Sequence, residues 1–191
     1  MHAAYITDQN FEKINFAESP LQRGEYEHCT FINCDFSNVV LAGFIFGECR
    51  FESCNFSMAK LPGTVLRNAA FEGCKLLGIR FEECSTFILS FNFQNCILTH
   101  SSFYGLKIKQ TKFKGTLLKE VDFSRCDLTG AVFNNCDMSG ARFDQTILEK
   151  ADLRTAFNYS INPEINRIKK AKFALPEVIG LLDKYDIVIE R

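Results

Sequence analysis

The chain has no tryptophan, four prolines and only three histidines in 191 residues. His2, His28 and His100 are scattered without a metal-ligand spacing, and no HExxH, P-loop, GxGxxG or GxSxG stretch accompanies them. The usual signatures of zinc hydrolases, nucleotide binders and serine hydrolases are therefore missing, and an enzyme is not expected. No two of the nine cysteines are spaced CxxC, which removes the common zinc and redox patterns. No cofactor or metal is expected. No run approaches the 18 apolar residues of a membrane span. The opening MHAAYITDQNFEK lacks the basic start and apolar core of a signal peptide. A cytoplasmic protein with reduced thiols is the expectation. The charge is close to balanced, 22 Lys and Arg against 23 Asp and Glu, so direct nucleic-acid binding is not expected either.

What is abundant is phenylalanine, 20 residues, and its placement is periodic. Steps of five from Phe11 reach Phe16, Leu21, Tyr26, Phe31, Phe36, Leu41, Phe46, Phe51, Phe56, Leu61, Leu66, Phe71, Leu76 and Phe81. After a shift the series resumes at Phe93 and runs through Leu98, Phe103, Ile108, Phe113, Leu118, Phe123, Leu128, Phe133, Met138, Phe143 and Leu148 to Leu153. A period of five matches neither a helix nor a flat strand. It requires a backbone that turns a corner every few residues, which is a repeat solenoid. Eight of the nine cysteines fall two residues before a centre of this series and Cys84 continues the same step of five, in a column otherwise rich in Ala, Ser and Thr. That column predicts a second, tighter row of inward side chains, with the thiols as small buried apolar groups. Phe11, Phe31, Phe51 and Phe71 recur at 20, as do Phe93, Phe113 and Phe133, so one coil takes twenty residues.

The stretches CTFINCDFSN, CRFESCNFSM, VDFSRCDLTGAVFNNCDMSGARF and KADLR resemble the pentapeptide-repeat family, over roughly residues 11–153. The resemblance implies an all-β fold, a right-handed quadrilateral β-helix with four pentapeptides per coil. It divides the chain into an N-terminal edge or irregular first coil (1–10), the β-helix (11–157, with a phase break at 82–92) and a C-terminal cap (158–191). In the cap, Pro176 and Glu177 suit the start of a helix. Val178, Leu181, Leu182 and Tyr185 then follow helical spacing, which predicts one helix over about 176–185, and Ile187, Val188 and Ile189 read as a terminal strand. These four helical residues are candidates either for covering the last coil or for a homodimer contact. Family members related to gyrase protection dimerise through their C-terminal ends, and the NPEINRI segment is similar to the tail of the microcin-resistance and quinolone-resistance branch.

Two surface features stand out. In the phase break, Phe87 and Ile88 are more apolar than a loop should be. Either they belong to a bulge that packs inward or they form an exposed contact; in quinolone-resistance members, loops projecting from the rod engage the partner. The second feature is charge. Residues 1–99 hold 11 acids and 7 bases, residues 100–119 hold no acid and five lysines (Lys107, Lys109, Lys112, Lys114 and Lys119), and residues 120–153 hold 7 acids and 3 bases. Glu12, Glu52 and Glu72 share one outward position, with Ile32 between them. Gyrase-binding members of the family resemble a rod of DNA carrying acidic stripes. The resemblance thus implies a protein partner, DNA gyrase or topoisomerase IV, protected from quinolone or microcin-type inhibitors by partial DNA mimicry. The lysine band interrupts such a stripe; it reads as a solvated mixed surface, as a seat for an acidic partner, or as a local lysine contact within partial mimicry. The alternative is a structural scaffold with an unrelated partner.

Overall fold

The computed structural model describes residues 4–190; His2, the rest of residues 1–3 and Arg191 lie outside them. The fold is a parallel β-solenoid with four sides. Numbered in chain order, β1 (Ala4–Thr7), β3 (Gly24–Glu27), β5 (Ile45–Gly47) and β7 (Val65–Arg67) stack as one parallel sheet. A second, seven-stranded parallel sheet holds β2 (Asn10–Glu12), β4 (Thr30–Ile32), β6 (Arg50–Glu52), β8 (Ala69–Glu72), β9 (Phe91–Gln94), β10 (Lys112–Lys114) and β11 (Val132–Asn134). The other two sides are narrower ladders of single bridges, for example Asn15–Asp35–Asn55–Lys75–Ile97 and Arg80–Ser102–Asp122–Arg142. We call the seven-stranded sheet side one. Sides two and three follow along the chain, and side four carries β1, β3, β5 and β7. The register is the one that the sequence period demands: Phe11, Phe31, Phe51 and Phe71 pair in steps of 20, with one step of 22 to Phe93.

Every centre of the five-residue series except Phe11 and Leu21 is buried, and those two, in the first coil, are half-buried. Phenylalanines stack from coil to coil: Phe31 on Phe51 at 5.0 Å, Phe51 on Phe71 at 4.9 Å, Phe113 on Phe133 at 5.1 Å, with Phe36 on Phe56 at 4.3 Å on side two. Between sides the rings meet edge to face, as Phe103 and Phe113 do at 86°. Each buried ring contributes roughly 1.5–3 kcal/mol by leaving water, and favourable aromatic geometry adds about 0.5–1.5 kcal/mol per pair.

The column two residues before each centre obeys a hydrogen-bonding rule. Its side chain sits against the carbonyl of the residue 23 earlier, the preceding centre one coil back. Cys54 Sγ donates to Phe31 O, Cys74 Sγ to Phe51 O, Thr64 Oγ1 to Leu41 O and Thr146 Oγ1 to Phe123 O. All nine cysteines are free and buried. Burial pushes the Cys49, Cys84 and Cys126 thiols up to about 12 and Cys136 to about 11, so they stay protonated. The column is not uniformly small. Phe44 occupies it on side four and stacks on Tyr26 and Phe46. Phe91 fits beside Ala69 and packs against Phe81, Phe93 and Phe103.

The tail departs from expectation. Bridges Ile147–Arg167 and Asp152–Lys172 carry the ladder beyond Leu153. Asn166 takes the slot of a cysteine there: its amide donates to Phe143 O and Asn162 O, and its Oδ1 accepts from Thr146 N. In place of one helix over 176–185 stand two 3-10 turns, Glu177–Leu181 and Asp183–Tyr185. The cause is Gly180, whose carbonyl turns out to accept from Ile161 N of the last coil at 3.0 Å instead of continuing a helical ladder. Ile187, Val188 and Ile189 form no strand; all three are exposed and bridge to no neighbour among the described residues.

Candidate protein-interaction surface

The corners of the solenoid set which side chains face out. Two residues after most centres the backbone has positive φ, as at Asn33, Asn68, Gly115 and Asn135. Asn and Gly tolerate this conformation best, yet several corners carry larger residues, among them His28 and His100 at φ 53° and 60°. Both imidazoles are exposed, and His100 Nδ1 lies 3.3 Å from Glu120.

The phase break forms a small loop on side four. Ser85 N bonds to Thr64 O and Ser90 N to Leu66 O, so residues 86–89 leave the wall between two anchored serines. Leu89 packs partly inward, while Phe87 is 76% and Ile88 48% exposed. The two readings of the sequence therefore divide within one segment. Ile88 has φ 55°, a left-handed conformation that is sterically costly for a β-branched residue.

The five lysines ring one coil rather than forming a patch. Lys107 and Lys109 flank Ile108 on side four, Lys112 and Lys114 lie on β10 of side one, and Lys119 sits at the following corner. Two of them are paired with the coil below: Lys109 Nζ with Asp127 at 3.2 Å and Lys119 Nζ with Asp137 at 3.4 Å. Lys107, Lys112 and Lys114 form no ion pair among the described residues. The free lysines thus gather where sides four and one meet, one coil after the Phe87–Ile88 loop. Lys112 and Lys114 also line an open groove of about 360 Å³ along side one, together with Arg50, Glu72, Asn92 and Gln94.

Some acids are tied into corners, Asp35 in the first half by Ser37 N and four more in the second. Asp122, Asp127, Asp137 and Asp152 each accept a hydrogen bond from the backbone N–H two residues on, closing their corners. Burial opposes ionisation of Asp127 and Asp137, but Thr129 with Lys109, and Ser139, Asn158 with Lys119, hold both carboxyls below the usual range. These carboxylates are committed to the fold. In the first half, Glu52 and Glu72 lie side by side in register on side one, exposed or half-exposed, with Arg50 3.6 Å from Glu52. On side four, Arg67 reaches Glu25 and Glu27 across Gly47. A Cβ at Gly47 would fall 2.1 Å from the Glu27 carboxylate.

At the far end, Val178 and Leu181 are half-buried, whereas Leu182 and Tyr185 are exposed, Tyr185 donating to Glu164 Oε1 at 3.0 Å. With Leu175, Ile179, Ile187, Val188 and Ile189 they leave a run of exposed apolar side chains. No helix of the described residues is long and apolar enough to cross a membrane.

A family model for the pentapeptide repeat region matches residues 44–123 and 85–153. Among solved structures, the chain is similar to full-length QnrB1, a plasmid-mediated fluoroquinolone resistance protein, at 18% identity and a TM-score of 0.50, over 95% of this chain and 99% of that one. It is also similar to HetL of Nostoc sp. strain PCC 7120, a pentapeptide repeat protein involved in heterocyst differentiation regulation, at 16% identity and a TM-score of 0.48, over 87% of this chain and 86% of HetL. At 18% identity the likeness to QnrB1 is one of fold. No curated protein matches the sequence.

Proposed function

The chain belongs to the pentapeptide-repeat family, and on that premise we propose that it is a non-enzymatic interaction rod whose partner is a type II topoisomerase, DNA gyrase or topoisomerase IV. Solenoids of this family present surfaces rather than catalytic constellations. The observation that carries the reading is the composite surface where sides four and one meet: a loop that puts Phe87 and strained Ile88 into solvent, followed one coil later by Lys107, Lys112 and Lys114, which form no ion pair among the described residues. An exposed aromatic suits the apolar core of an interface, and unpaired cations beside it suit the polar rim that steers and orients a partner. QnrB1, which shares the fold, confers fluoroquinolone resistance, and this supports the choice of partner. Mimicry of DNA is confined to the first coils, where Glu25, Glu52 and Glu72 are not committed to corner hydrogen bonds. Second copies of the chain meet through the apolar C-terminal end, around Leu182 and Tyr185. The test is gyrase supercoiling with and without the protein in the presence of a quinolone. Relief of drug inhibition at stoichiometric protein is expected. No effect from folded protein would replace this reading with a scaffold serving an unrelated partner.

A further inference from the structure

The wall at side two carries four thiols one above another. Cys34, Cys54, Cys74 and Cys96 occupy the same slot in four successive coils, and all are buried. Their S–H groups point at Phe11 O, Phe31 O, Phe51 O and Phe71 O at 3.4, 3.3, 3.2 and 3.4 Å, so the sulfurs are held in one line. Neighbouring thiols lie one coil apart in register, each immediately before a residue of the bridged ladder Asp35–Asn55–Lys75–Ile97. Cys29 and Cys49 repeat the arrangement on side one. The other three cysteines are equally buried but have no thiol neighbour. Cys84 lies between Thr64 and Leu106, Cys126 between Leu106 and Thr146, and Cys136 between Thr116 and Ala156.

The coil step decides what such a ladder can bind. Parallel strands lie about 4.8 Å apart, whereas a disulfide needs Cβ atoms about 3.8 Å apart. A disulfide would have to pinch two coils together. Two metal–thiolate bonds of about 2.3 Å laid end to end span about 4.6 Å, close to the coil step. No group of three or more His, Cys, Asp or Glu converges on a metal position among the described residues, so tetrahedral zinc is not served. Thiolates select soft ions. A monovalent ion between two thiolates would leave a buried anion without a partner, which is costly; a divalent ion leaves a neutral unit.

We infer that adjacent rungs of the cysteine ladder form linear two-thiolate sites for a soft divalent cation of the Hg(II) type. Two S–H bonds break, two S–metal bonds form and two protons leave to solvent, with no change of oxidation state. The ladder accommodates one ion at Cys34–Cys54 and one at Cys74–Cys96, and Cys29–Cys49 a third.

The test is titration of the reduced, full-length protein with Hg²⁺ in the presence of a competing monothiol. Sulfur–mercury ultraviolet absorption, proton release and circular dichroism are followed together. Three ions per chain are expected with the native dichroism retained. Cys74→Ala, which folds because alanine already occupies this slot at Ala156, should bind two. A triple variant Cys84→Ala, Cys126→Ala, Cys136→Ala should still bind three. Uptake only as the native dichroism is lost overturns the inference. So does an unchanged stoichiometry in Cys74→Ala, or a loss in the triple variant equal to that in Cys74→Ala.

Discussion

The carbonyl 23 residues back governs the choice among cysteine, serine, threonine and alanine in the inner column. A small donor satisfies that carbonyl a second time, and alanine merely fills the space. Cys126→Ala should therefore cost no more than about 1 kcal/mol, the net worth of one weak hydrogen bond. Asn166→Ala should cost at least about 2 kcal/mol, because it strands the buried Thr146 N–H and removes two donations. Urea unfolding of both variants measures the difference. At Ile88 the expected sign is reversed: Ile88→Asn should stabilise the free protein by roughly 1 kcal/mol, since asparagine accepts the left-handed conformation more readily. A raised urea midpoint at unchanged slope is the result to look for. The cysteine column was legible in the sequence because its spacing is strict. The exceptions Phe44 and Phe91 were not, because each depends on neighbours brought close only by winding, the Tyr26 ring for Phe44 and the small Ala69 for Phe91.

Among the elements, the coils were readable from a period of five with a longer period of 20, and the break of two extra residues located the loop. How the loop divides, with Leu89 inward and Phe87 and Ile88 outward, depends on the anchoring bonds of Ser85 and Ser90, which no periodicity encodes. The cap takes the form of two 3-10 turns, which helical spacing of apolar residues cannot register, because the Gly180 carbonyl is claimed by Ile161. A Cβ at Gly180 would lie 2.0 Å from Tyr159 O, so Gly180→Ala should lift the turn off the last coil. Faster amide exchange at Ile161, with the central coils unchanged, is the expected readout. The corner aspartates Asp127, Asp137 and Asp152 carry a pH prediction. Their folded-state pKa values are lowered, so their contribution is fully present above the unfolded value of about 3.9 and is lost as pH falls through the still lower folded values. An Asp127→Asn, Asp137→Asn variant should be less stable than wild type at pH 7, and the gap should close towards pH 2. Thermal melts across that range test it.

For the whole molecule, the sequence displayed the lysine band as a block of like charge but not its distribution. Winding spreads the five lysines around a coil, and the corner aspartates below neutralise Lys109 and Lys119. Only the three-dimensional register separates committed charges from free ones. The apolar end makes a prediction about assembly. Light scattering should give a dimer for wild type and a folded monomer for Leu182→Glu; an unfolded variant would instead make Leu182 part of an intramolecular cover.

The most direct measurement is the affinity of immobilised DNA gyrase for three forms of the protein: wild type, a Phe87→Ser, Lys107→Glu, Lys112→Glu, Lys114→Glu variant, and a Lys109→Gln, Lys119→Gln control. The account predicts that wild type binds, that the first variant loses at least about tenfold, a change of about 1.4 kcal/mol, and that the control loses much less. Absence of wild-type binding, or equal losses in the two variants, would contradict it.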